Sequence, residues 1–168
     1  MKRAFTMIEL IFVIVVIGIL ASIAIPKLAA TRDDAVISAC EGNVKVFIGD
    51  MKSYYTSKGS FLDPTTGTVV IEAITDVNFI GTPIIDSNGD NGNFQFVCGD
   101  TSTPTPIVIF TSNVTNNPAT GEPAILLTAT TQTPNNIVDT GLVSLLEKTN
   151  LASSSGVDHI IGGVKVVR

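Results

Sequence analysis

Residues 5–25 read FTMIELIFVIVVIGILASIAI, and this run constrains the chain more than any other feature. Between Leu10 and Ile25 only Gly18 and Ser22 interrupt the apolar side chains. As a helix the run rises about 31 Å, the thickness of a bilayer's hydrocarbon core. Its β-branched Ile and Val residues would favour a strand in water. In lipid the backbone must satisfy its own hydrogen bonds, so a single segment has to be a helix. Lys2 and Arg3 precede it, and the positive-inside rule keeps that end cytoplasmic with the rest of the chain outside. The run accounts for a mean hydropathy of +0.43 in a chain with only 15% charged residues. The remaining length, out of 168 residues, suits one domain of ordinary size.

Glu9 lies inside this run. A carboxylate at membrane depth costs about 2–3 kcal/mol or more and usually has a partner. One reading is snorkelling to the interface, or simple protonation. The other is a cation supplied by a neighbouring chain: if the chain began at Phe5, a free amine would stand one helical turn from Glu9. A second helix displaced by about a turn would then bring its amine to this carboxylate.

The segment KRAFTMIELIFVIVVIGILASIAIP resembles the N-terminal signature of type IV pilins and of the pseudopilins of type II secretion. The resemblance covers about 55 residues, and the first 26 carry its specificity. Met1–Ala4 matches the leader, Phe5 the new N-terminus, Glu9 the acidic position and Pro26 the helix kink. The resemblance implies cleavage between Ala4 and Phe5 by a prepilin peptidase, N-methylation of Phe5, and packing of the helices into a filament core. Ala4 departs from the glycine usual before the cut. A rival reading takes Lys2-Arg3, the apolar run and Ser22-Ile23-Ala24 as a secretory signal peptide cut after Ala24, which would release a soluble binding domain.

Pro26 lacks an amide donor and is expected to kink the helix rather than end it. Beyond it Leu28, Ala35, Ala39/Cys40, Val44, Phe47/Ile48, Met51 and Tyr55 recur at spacings near three and four, the pattern of an amphipathic helix with one buried stripe. Lys58-Gly59 supplies a basic last turn and a glycine stop. Thereafter the texture turns to Thr, Asn, Gly and Pro with short β-rich runs. Candidate strands are Thr68–Ile74, Phe79–Ile85, Phe94–Cys98, Ile107–Ser112, Ala124–Thr130 and Val164–Val167. Asp139–Asn150 reads as a short helix capped by Asp139 or Thr140, with Leu142, Leu145 and Leu146 inward. The expected fold is α+β: a long N-terminal helix, half membrane-embedded and half amphipathic, packed against an antiparallel β-sheet head. The expected divisions are a leader at 1–4, a transmembrane or filament-core helix at 5–26, an amphipathic helix at 27–58 and a β-rich head at 59–168.

Between Gly59 and Glu147 there is no Lys or Arg, against nine acids. Such a head repels phosphates, so no direct nucleic-acid binding is expected. Asp86, Asn88 and Asp90 place oxygen ligands at alternate positions among glycines, which suits calcium. Asn-Gly sequences also form plain solvated turns. Cys40 falls on the helix stripe and Cys98 at the end of a candidate strand. They form either a disulfide, which an exported compartment permits and which would contribute about 4 kcal/mol, or two buried thiols. His159 has no nucleophile patterned with it and reads as structural. Asn113-Val114-Thr115 is a bare glycosylation sequon. No GxSxG, HExxH or P-loop is present, and no enzyme is expected.

The resemblance implies a filament subunit, first as a pseudopilin of a type II secretion system. The alternative is a type IV pilin for adhesion or DNA uptake, and a soluble domain cut after Ala24 comes third. Expected partners are further copies in a helical filament, prepilin peptidase, the inner-membrane assembly machinery, and minor pilins or pseudopilins. The expected location is the bacterial inner membrane, as a single pass with a periplasmic head, and then the filament.

Overall fold

The computed structural model describes residues 5–61, 65, 73–77, 79–85, 92–98, 106–116 and 123–163. The elements run α1 (Met7–Lys58), β1 (Phe79–Ile85), β2 (Gly92–Phe96), β3 (Val108–Asn116), β4 (Pro123–Thr131), α2 (Ile137–Lys148) and β5 (Val157–Gly163). The chain divides into two compact units, Met1–Ala35 and Val36–Arg168. The fold is α+β.

In the first unit α1 carries its apolar side chains outward. Large hydrophobics from Phe5 to Leu28 are exposed, from 38% at Val16 to 87% at Phe5. Pro26 lies inside the helix and does not end it. Ser22 Oγ donates to the Ile19 carbonyl at 2.7 Å.

In the second unit the strands form one antiparallel sheet in the order β1-β2-β3-β4-β5. Period-two alternation is clean in β2, where Gly92, Phe94 and Phe96 are buried and Asn93 and Gln95 half-buried. Phe94 stands opposite Phe110, which in turn stands opposite Ala129. Edge strand β1 contains Pro83 and a register irregularity between Ile80 and Ile84; proline, which cannot donate to the ladder, is tolerated at an edge or a bulge.

The stripe of α1 that meets this core is Cys40, Val44, Phe47, Ile48, Met51 and Tyr55, all buried. Phe47 is its centre, with ring centroids 4.6 Å from Phe79, 4.7 Å from Phe110 and 5.5 Å from Phe94. The stripe is shorter than its periodicity suggests: Leu28, Ala35 and Ala39 are exposed, and upstream of Cys40 only Val36 and Ile37 pack on the core. Gly59 ends α1 at φ +74°, its N–H donating to the Tyr55 carbonyl at 2.7 Å, the left-handed stop that glycine alone adopts without strain. Helix α2 approaches α1 so closely that a methyl on Gly141 would lie 2.5 Å from Ile37 Cδ1.

Several local expectations are corrected. Helix α2 is capped by Asn136, whose side chain accepts from Asp139 N at 2.8 Å, and not by Asp139 or Thr140. Asp139, itself buried, instead reaches back to accept from the amide of Asn135, before the N-cap, at 3.2 Å. Leu142 and Leu146 are buried and Leu145 is half-buried. Within the candidate strand 68–74, Ala73 and Ile74 form a turn, and residues 68–72 lie outside the described residues. Thr75 follows this turn: its hydroxyl donates to Asp50 Oδ2 at 2.6 Å and accepts from Val77 N at 3.2 Å. The strand that pairs with β4 is Val157–Gly163. The candidate strand Val164–Val167 lies outside the described residues.

Ser112 is fully buried on the core face of β3, and its Oγ has no hydrogen-bond partner among the described residues. An unmet buried hydroxyl costs about 1–3 kcal/mol. Ser112→Ala removes it at the expense of one atom's packing. The expected outcome is a gain of about 1 kcal/mol, or about 3 °C in thermal midpoint. A lower midpoint by calorimetry would contradict that assignment.

Candidate functional site

The first turn of α1 closes on itself. Thr6 precedes the helix, and its hydroxyl accepts from the Glu9 amide at 3.3 Å. Glu9 Oε2 accepts from the Thr6 amide at 2.9 Å and from the Thr6 hydroxyl at 2.7 Å. Threonine at the cap and glutamate three residues on are a capping box, which satisfies helix-start amides reciprocally. Glu9 Oε1 makes no hydrogen bond among the described residues, and the side chain is exposed. One carboxylate oxygen is thus fixed toward the chain start while the other stays open to an external donor. Sequence reasoning singled out Glu9 and passed over Thr6, although the Thr-x-x-Glu spacing was legible.

Phe5, exposed at the start of the helix, and Glu9 share this end of α1. Ala4 lies outside the described residues. The exposed apolar surface from Phe5 to Leu28 far exceeds the few hundred Å² that a soluble monomer leaves uncovered. The helix is long and apolar enough to cross a membrane. Its chemistry is that of burial against lipid or other helices.

The other candidates fall elsewhere. Cys40 of α1 and Cys98, just past β2, are joined as a disulfide with Cα atoms 5.7 Å apart. His159 on β5 is half-buried and bonded through Nε2 to the Leu151 carbonyl at 2.8 Å, which anchors the segment after α2. Asn113 is exposed on β3. Asp86, Asn88 and Asp90 lie outside the described residues. Among the described residues no group of three or more His, Cys, Asp or Glu could hold a metal ion.

Comparison with known proteins bears on the same segment. Residues 1–25 match the family model of the prokaryotic N-terminal methylation motif. The likeness extends into the head: the chain is 32% identical over 124 residues to the type IV major fimbrial protein FimA of Dichelobacter nodosus (strain VCS1703A), covering 62% of this chain and 74% of that protein. The chain belongs to the type IV pilin family. A second FimA from Dichelobacter nodosus is 35% identical to this pilin over 95 residues, and the type IV major pilin protein PilA of Myxococcus xanthus (strain DK1622) is 38% identical over 62 residues. The pilin spans about half the length of the first of these two, 56%, and 28% of the second. The matches cover 54% and 37% of this chain. No solved structure matches it. These relatives are major pilins by name, which moves the reading from the secretion pseudopilin expected first to the type IV pilin given as its alternative.

Proposed function

We propose that this pilin is a structural subunit of a type IV pilus and works by assembly. The observation that carries the reading is the bare apolar surface of α1 with a single carboxylate fixed near its start. In the bacterial inner membrane lipid covers that surface, with the N-terminus cytoplasmic and the head periplasmic. Prepilin peptidase removes residues 1–4, and the new amine of Phe5 is methylated. On extraction by the assembly machinery, residues 5–26 exchange lipid for neighbouring helices as the filament core. Residues 27–58 carry the amphipathic part of the helix, and residues 59–168 form the β-rich head that determines what the filament meets. Minor pilins are the further partners. The carboxylate of Glu9 neutralises the Phe5 amine of an adjoining copy, a charge pair that is strong because the surroundings exclude water.

A deletion strain separates this reading from the pseudopilin one. Loss of surface filaments, with secreted proteins still exported, supports the pilus. Secreted proteins trapped in the periplasm with filaments intact would overturn it.

Calcium at Asp86, Asn88 and Asp90 is a separate reading, supported by their alternating oxygen ligands. Its test is calorimetry on the full chain. Heat at millimolar calcium and a melting temperature lowered by chelator are expected; no heat, with a melting temperature unchanged by chelator, would end it.

A further inference from the structure

Cys40 and Cys98 are 58 positions apart, so their disulfide closes a loop of 57 intervening residues. Cys40 is the first buried residue of α1. Cys98 follows β2, the second strand from the edge. The enclosed residues include the rest of the buried helix stripe, all of β1 and all of β2.

Two routes lead from the start of α1 into the sheet. The backbone route runs down α1 to Lys58 and on to β1. That strand is an edge, its register is interrupted between Ile80 and Ile84, and it contains Pro83, so its ladder is incomplete. Tension arriving there first meets the apolar contacts of the helix stripe and then an edge strand pair with an interrupted register. Such contacts yield one after another. The covalent route crosses from Cys40 to Cys98 and meets the chain between β2 and β3, past that edge. Residues paired there, such as Phe94 with Phe110 and Phe96 with Val108, belong to the buried centre of the sheet.

We propose that the Cys40–Cys98 crosslink is the joint through which tension along α1 enters the head, leaving the helix stripe and the edge strand β1 unloaded. Its purpose rests on the filament reading above, since a subunit held by its helix in a filament is pulled along that helix. The joint itself is a property of one chain and is measured on one chain.

The test is force-clamp extension of the full chain in detergent micelles, held at its N-terminus and at a tag inserted between β3 and β4, so that edge strand β5 carries no load in any sample. Three samples are compared: the oxidised protein, the Cys40→Ser/Cys98→Ser variant, and wild type that folded oxidised and was then reduced in place. The last keeps the comparison valid if the variant fails to fold. At equal force the oxidised head is expected to survive at least about tenfold longer than either uncrosslinked form. Its full extension is expected to be about 200 Å shorter, the contour of the enclosed residues. Equal lifetimes with and without the crosslink would overturn the proposal. Failure of the filament reading looks different: no filaments in cells, with the lifetime difference intact.

Discussion

Glu9→Ala is expected to enter the membrane as well as wild type and yet lower filament incorporation by tenfold or more. The substitution removes the one charged side chain from an apolar run, so insertion becomes easier. What it removes is the anion proposed to meet a neighbour's amine, leaving that ammonium unpaired in a water-poor filament core, where an unpaired charge costs several kcal/mol. Alanine also removes half of the capping box, the two bonds from Thr6 to the Glu9 carboxylate, while the Thr6 hydroxyl can still accept from the amide of residue 9. Glu9→Gln separates the two causes, because glutamine can still accept from Thr6 but carries no charge. If charge pairing governs assembly, Glu9→Gln stays as defective as Glu9→Ala. Glutamine filaments at wild-type yield would transfer the role to the cap. The measurement is immunoblotting of sheared surface fractions against membrane fractions of the same cells.

Phe47→Ala is expected to destabilise the head by about 3–5 kcal/mol, as truncation of a fully buried aromatic does. Phe47 is 0% exposed and packs three rings from three different strands, so the cavity falls where α1, β1, β2 and β3 meet and cannot close by a local shift. Tilted and edge-on ring pairs add to the loss. Phe47→Leu retains most of the volume and is expected to cost less than half as much. Leu28→Ala is expected to change head stability by less than about 0.5 kcal/mol, because Leu28 is 69% exposed. Urea denaturation of the full chain in detergent reads all three. A loss below 1 kcal/mol for Phe47→Ala would contradict the packing described for α1.

How much of this was legible in the sequence depended on whether the governing interaction was local. The glycine stop at Gly59 and the stripe from Cys40 to Tyr55 follow from backbone freedom and helical period, and the structure has both. The same period continued back through Ala39, Ala35 and Leu28, where no core covers them, because period names a face and not the extent of its partner. Thr68–Ile74 reads as strand from its β-branched residues. Ala73–Ile74 instead turn, next to Thr75, whose hydroxyl donates to Asp50, 25 positions away, a contact no local pattern encodes. Strand β5 was hidden by Asp158, His159 and two closing glycines, and its existence depends on pairing with β4. Asn136 and Asp139 are both good caps, and only geometry assigns the first as N-cap. At the site Glu9 stands out as an acid in an apolar run, whereas Thr6 is one more small polar residue by sequence and takes its role from its bonds to Glu9.

The central claim is that the apolar helix stays with the subunit and assembles it. The most direct measurement is the intact mass and N-terminal sequence of the chain recovered from sheared surface filaments. The expected result is a chain beginning at Phe5, heavier by the one CH2 that N-methylation adds and recovered in polymer. A chain beginning at Ile25, soluble and monomeric, would contradict the account.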